Sequence, residues 1–513
     1  MEHTRRQARK QTQTFSPWWL RLTALVLYCG LVPVGLADDN QQHGMDVVLV
    51  MDSSGSMKST DPKDLRKPAA KMLISLLGKN DRASVVSFSD QGYPVSYLRP
   101  TKQAAEQAQL FTAIDKISSR GAYTNIHGAL LAAKRVLDKD TSPAKRRLVI
   151  LMSDGRMDLG DDEKSAQRSQ QIFDDILPLF KQENIELQTI AFSDASDKVL
   201  LASLAKEAQG QFYVANTDKE LHQTFSQIFE DSSRPDMLPM DGGHFHIDEA
   251  IQEVTIIGSK DDEQVVLFLT SPRGNRYTHA NKPTSIQWLT SPLFDLITIK
   301  APQTGDWHLG ASNNNNKAYI ITNLSLAMGV SSAEPVTHEE FQLQAWLEQD
   351  RQVLIREAIL EHLTLSADIQ YPDGMIKTLP LTPANPSQQG EFAGIYLSPL
   401  SFAESGDYLI TVTADSGTFN RSRKLRLHVH EPAVETASAE QEAQKPQATE
   451  EPRQEPIQKH TPTEQHGEDG VDLIRIGIIF IGVNIVLGSI AGGVFLVRRR
   501  HKKKRSSAGE PHE

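Results

Sequence analysis

Val47-Val48-Leu49-Val50-Met51 runs directly into Asp52-Ser53-Ser54-Gly55-Ser56, a carboxylate and three hydroxyls within five residues. An apolar run without alternation, ending at polar residues, reads as a strand buried on both faces of a helix-covered parallel sheet. A second such run, Leu148-Val149-Ile150-Leu151-Met152-Ser153, ends at Asp154-Gly155. Loops at the carboxyl ends of neighbouring strands in an open α/β sheet meet in one crevice. Asp52, Ser54, Ser56 and Asp154 are therefore expected at one site. Thr124 precedes a helical pattern over 126–137 and is expected to join them.

Outward from these runs, residues 46–231 alternate short apolar segments (47–51, 83–88, 148–152, 187–192, 211–215) with amphipathic ones (64–77, 126–137, 165–181, 198–208, 219–230). Alternation of this kind predicts a mainly parallel sheet with helices on both faces. Past Pro239 the texture changes. Residues 243–328 and 330–430 read as short strands split by turns such as Ser271-Pro272-Arg273-Gly274, each stretch suiting a β-sandwich of Ig-like size. Pro302-Gln303-Thr304-Gly305-Asp306-Trp307 and Ser405-Gly406-Asp407-Tyr408 repeat a Gly-Asp turn before an aromatic, which suggests two related modules.

The formal charge of −11 over 513 residues is uneven: +4 in residues 1–37 and +5 in residues 498–513, leaving −20 between them. An acidic body disfavours nucleic acid and favours divalent cations. Residues 1–37 have a basic start, an apolar stretch and Gly35-Leu36-Ala37, the pattern of a cleaved signal peptide. The only cysteine, Cys29, lies within it, so the mature chain would carry no thiol, which favours a bacterial envelope protein. Residues 432–470, rich in Pro, Glu, Gln and Thr, suit a disordered linker spanning on the order of 35 Å. Residues 476–497 have the length and composition of a transmembrane helix, and the basic tail 498–513 then lies in the cytoplasm with the body outside, periplasmic in a Gram-negative cell. Asn484, Gly488 and Gly492 share one face of that helix and suit self-association.

Two acids and three hydroxyls form an oxygen-only set that suits a hard divalent cation, with room for a further oxygen from outside. Asp52-x-Ser54-x-Ser56, Thr124 and Asp154-Gly155 together resemble the metal-ion-dependent adhesion site of the von Willebrand factor A family, over about residues 44–232. The resemblance implies a Rossmann-like, doubly wound α/β domain. It implies Mg²⁺ (or Mn²⁺ or Ca²⁺) held directly by Ser54, Ser56 and Thr124, with Asp52 and Asp154 acting through water. It also implies a partner's Asp or Glu as the last ligand, and a carboxyl-terminal helix, here 219–230, whose position couples to affinity. The function expected is a non-enzymatic, membrane-anchored, metal-dependent protein-binding or adhesion receptor. The alternative is a scaffold or assembly subunit of a bacterial envelope complex. No nucleophile elbow, zinc-protease motif or phosphate loop supports an enzyme.

Three further features are weaker. His244, His246 and Asp248 alternate and would share a strand face able to bind a transition metal, although such a face is more often simply solvated. Asp161-Asp162-Glu163 reads as a solvated acidic loop, and Asn313-Asn314-Asn315-Asn316 as a turn.

Overall fold

In the computed structural model the described residues are 44–139, 145–390 and 392–432. The expected leader 1–37, the span 476–497 with Asn484, Gly488 and Gly492, the tail 498–513 and all of the linker but residue 432 lie outside them. Among the described residues no helix is long and apolar enough to cross a membrane.

The amino-terminal part is an α/β layer structure. Its strands are β1 (Met45–Asp52), β2 (Arg82–Phe88), β3 (Gly92–Pro100), β4 (Arg146–Ser153), β5 (Ile185–Ala191) and β6 (Phe212–Val214), in the order β3-β2-β1-β4-β5-β6. All neighbours are parallel except β3, which returns antiparallel to β2 with two irregularities of register. Pro94 and Pro100 suit β3 to that edge, because a proline cannot donate to a second neighbour.

Every residue of β1 is buried. Its side chains alternate between two cores, and this explains the unbroken apolar run. Val47, Leu49 and Met51 pack with α2 (Arg66–Leu76), α3 (Ala104–Asp115) and α8 (Leu221–Ser233). Val48 and Val50 pack on the other face with α4 (Ile126–Asp138), α6 (Leu177–Gln182) and α7 (Lys198–Glu207). A one-turn helix, α1 (Met57–Thr60), follows the Asp52–Ser56 segment. The amphipathic stretch 165–181 is not one helix: α5 (Asp162–Gln171) passes through a π-turn at Ile172–Ile176 into α6. Pro178, at the start of α6, has no N–H for the preceding turn, which accounts for the break. Asp161-Asp162-Glu163 is solvated as expected, but Asp162 and Glu163 begin a helix instead of lying in a loop. Asp161 caps α5, accepting from Lys164 N at 2.8 Å, with Asp162 and Glu163 in the first turn, where carboxylates are favoured.

Among the described residues after α8 the strands all pair antiparallel, and one short helix lies at Glu357–Leu360. A four-stranded sheet contains Arg276–Tyr277, Phe268–Thr270, Gly305–Gly310 and His244–Ile247 in that order, and a larger sheet runs through the remaining strands. Two apolar clusters lie along this region, one centred on Phe245, Ile256, Trp288 and Trp307, the other on Leu343, Phe402, Tyr408 and Ile410. The Gly-Asp-aromatic phrase has the same local structure in both. Gly305 (φ +122°) and Gly406 (φ +142°) each sit against a proline, Pro272 and Pro372, where a Cβ would come within 3.0 and 2.9 Å. Trp307 Nε1 donates to Gln303 O at 2.8 Å, and Tyr408 Oη donates to Glu404 O at 2.9 Å, so each aromatic locks back onto the turn four residues before it.

The α/β domain and the β region share side chains. Met237, Ile257, Phe294, Leu296 and Tyr319 complete the core that holds α8. On α8, Glu230, buried at 3 % exposure, accepts from Lys317 Nζ (2.5 Å), Tyr319 Oη (2.8 Å) and Lys424 Nζ (2.9 Å). Asp231 accepts from Tyr213 Oη at 2.8 Å and Arg426 Nε at 3.1 Å. His222, also buried, stacks on Phe294 at 5.2 Å and pairs with Ser259 Oγ at 3.3 Å.

Candidate metal centre

The sheet order reverses across β1 and β4, so the loops after these two strands open the crevice that the topology predicts. Asp52, the last residue of β1, is fully buried. Its Oδ1 accepts from Ser54 N at 2.8 Å and its Oδ2 from Ser153 Oγ at 2.8 Å. Asp154, just past β4, is also fully buried; its Oδ1 accepts from Ser56 Oγ at 2.9 Å and, at 3.4 Å, from Ser54 Oγ. Ser54 and Ser56 are 2.9 Å apart, oxygen to oxygen. The loop carrying Thr124 is tied in by the backbone: Gly121 N donates to Ser53 O, and Thr124 and Asp158 exchange both amide bonds. Thr124 is buried, and its Oγ1 lies 3.5 Å from where a Cβ on Gly155 would stand. The five residues expected together are thus gathered at one crevice.

Gly55 lies in a turn, and close packing explains the glycine. It does not adopt positive φ; instead a Cβ there would press to 3.3 Å from Gly121 O. Two participants carried no sequence signal strong enough to single them out. Thr60 lies one helical turn after Ser56 and donates to Asp154 Oδ2 at 2.5 Å, and Ser153 holds Asp52 as described. Helical spacing from Ser56 is the clue that could have found Thr60. Behind the site, Arg66 is completely buried. It donates to Asp61 Oδ2 (2.6 Å), Ser119 Oγ (2.8 Å) and Ser118 O (3.3 Å), so it joins the turn after α1 to the loop that leads to Thr124.

The electrostatics test whether a cation fits. Two carboxylates with no solvent exposure face the same crevice, and among the described residues neither has a basic partner. Burial and then the charge of Asp154 push the Asp52 carboxyl up to about 6, against hydrogen bonds from Ser54 and Ser153 that pull it down. Buried charge without a counter-charge is costly, and a divalent cation at the crevice would remove that cost. Among the described residues no three His, Cys, Asp or Glu side chains converge on one point. The set here is two carboxylates plus hydroxyls, oxygen donors only, which suits Mg²⁺, Mn²⁺ or Ca²⁺. The residues therefore fit the group.

Residues 46–227 match the family model of the von Willebrand factor type A domain. An uncharacterized protein of Synechocystis, sll0103, is 27% identical over 196 residues, which are 38% of this chain and 43% of that protein. The chain thus spans less than half the length of this curated relative. Among solved structures it is similar to a von Willebrand factor type A protein from Catenulispora acidiphila, with a TM-score of 0.31 at 15% identity over 60% of this chain and 63% of that one. The mussel byssus proximal thread matrix protein 1, with a zinc-occupied MIDAS motif, gives 0.29 at 19% identity over 36% and 47%. The vWF domain of the pili tip protein Mfa5 from Porphyromonas gingivalis gives 0.27 at 17% over 36% and 93%.

Proposed function

From the premise that residues 46–227 are a von Willebrand factor type A domain, we propose that this chain is a metal-dependent protein-binding receptor of a cell envelope. The observation that carries the reading is the pair of buried carboxylates, Asp52 and Asp154, set among hydroxyls and without a basic partner among the described residues. Ser54, Ser56 and Thr124 would hold the cation, Mg²⁺ being the expected ion, with Asp52 and Asp154 supplying the balancing charge. When bound, the cation supplies a positive centre able to accept a carboxylate from a partner. The chain's own residues do the rest: Asp154 orients the Ser54, Ser56 and Thr60 hydroxyls, and Arg66 fixes the turn and loop behind the crevice. The domain works as an interaction module, not an enzyme. Residues 1–37 and the run 476–497 support export and a single membrane anchor, with the basic tail inside.

The test is recovery of partners from a membrane extract on the purified chain, compared with Asp154→Ala and Thr124→Ala, each with Mg²⁺ and with EDTA. Partners retained by the wild type in Mg²⁺ alone support the reading. The same partners in every lane contradict it. If the metal-dependent partners are envelope proteins of the same cell, the receptor is a scaffold and not an external adhesin.

A further inference from the structure

We propose that the exposed face of the four-stranded sheet is a second metal site, for a borderline transition-metal ion such as Zn²⁺, built from His244, His246 and His308 and oriented by Asp306. Along β8 (His244–Ile247), Phe245 and Ile247 are buried, so His244 and His246 point together to the opposite face. Strand Gly305–Gly310 pairs antiparallel with β8 in a register that sets Asp306 opposite His246 and His308 opposite His244. Three imidazoles and a carboxylate thus occupy one two-by-two block of the sheet.

The hydrogen bonding within the block suits metal capture. His246 Nδ1–H donates to Asp306 Oδ1 at 2.7 Å, which fixes the tautomer and leaves Nε2 with its lone pair free, the arrangement common behind metal-bound histidines. His244 and His308 stack with centroids 4.1 Å apart and planes 16° apart, a packing that disfavours two imidazolium charges. The adjacent cation, Arg276, is engaged over the Phe268 ring at 3.4 Å. Imidazole nitrogens select Zn²⁺, Cu²⁺ or Ni²⁺ over the hard cations suited to the first centre. Among the described residues these rings do not converge on one point as they stand, so binding requires the exposed His244 ring to turn out of its stack. Asp248, which alternation places beside these histidines, takes no part: its carboxylate binds Arg421 at 2.6 and 3.0 Å.

The second β cluster provides a control. His428 Nδ1–H donates to Asp407 Oδ1 at 2.7 Å in the equivalent place, but only His430 accompanies it. The experiment titrates Zn²⁺ calorimetrically into the full chain, with Mg²⁺ in large excess to occupy the first centre and Asp52→Ala as a second background. The expected result is a one-to-one site weakened about tenfold or more by His308→Gln, about 10- to 100-fold by Asp306→Asn, and unaffected by His428→Ala. Co²⁺ should give a ligand-field absorption spectrum that His246→Gln abolishes. Matching melting of the variants in EDTA would establish that they fold. Absence of Zn²⁺ binding, or equal affinity in wild type and His308→Gln, would overturn the proposal.

Discussion

Two pairs of acids lie in different parts of this molecule, and among the described residues only one pair has basic partners. Glu230 and Asp231, on α8, meet Lys317, Lys424, Arg426 and two tyrosines. Burial alone would raise the Glu230 carboxyl, but Lys317 and Lys424 bring it below its usual value. Among the described residues Asp52 and Asp154 meet only hydroxyls and one amide, and the Asp52 carboxyl rises to about 6. The same residue chemistry thus serves two ends. A pair with basic partners fastens α8 to the β region, while the crevice pair has none among the described residues.

The largest effect should come from breaking the compensated pair. Glu230→Ala leaves Lys317 and Lys424 facing each other at the junction and should cost about 3 kcal/mol in urea unfolding, the low end for such a loss because both lysines keep part of their surface in water. The corresponding neutral change at the crevice, Asp52→Asn, should stabilise the metal-free protein. If both changes destabilise equally, the contrast between the two pairs fails.

The pH dependence sharpens the same contrast. With its carboxyl raised from 3.8 to about 6, Asp52 favours the folded state when protonated. Its contribution is present below pH 3.8 and is lost as pH rises to 6, about 3 kcal/mol in all without metal. His222, lowered by burial from 6.5 to about 4, works in the opposite sense. Its unfolded form takes up a proton first, so stability is lost as pH falls from 6.5 to 4, again by about 3 kcal/mol. The two contributions oppose each other in EDTA. Asp52→Asn should then be acid-sensitive and His222→Phe should gain stability toward acid; unfolding midpoints between pH 4 and 7 measure both. The smallest effect is expected at Lys63–Glu263, a pair about half exposed on both sides that joins the two regions. Lys63→Ala should change stability by less than about 0.5 kcal/mol.

Much of the crevice was legible in the sequence because its determinants are local. The unbroken runs of β1 and β4 mark strands buried on both faces, and the ligand residues lie directly at their ends. Strand β3 was not legible, since an edge strand with Pro94, exposed Tyr93 and Tyr97 lacks a buried pattern. Nor was the fastening of α8, whose partners Lys317 and Lys424 lie 87 and 194 residues from Glu230. A lone glutamate on an amphipathic helix reads as solvated until the sheet that covers it is known. The Gly-Asp-aromatic repeat could be seen in sequence, but Pro272 and Pro372, which make those glycines necessary, are about thirty residues upstream of Gly305 and Gly406. Asp248 misled because alternation holds only while the strand lasts, and β8 ends at Ile247.

The central claim is that the Asp52–Asp154 crevice is completed by a divalent cation. Its most direct test is calorimetric titration of Mg²⁺ into the EDTA-stripped chain, alongside Asp154→Ala and Thr124→Ala. The account predicts one-to-one binding by the wild type, and a melting temperature that rises with Mg²⁺ in step with about 2.7 kcal/mol at a hundredfold excess over Kd. Both variants should lose the binding while melting normally in EDTA. A wild type that binds none of Mg²⁺, Mn²⁺ and Ca²⁺ would contradict it.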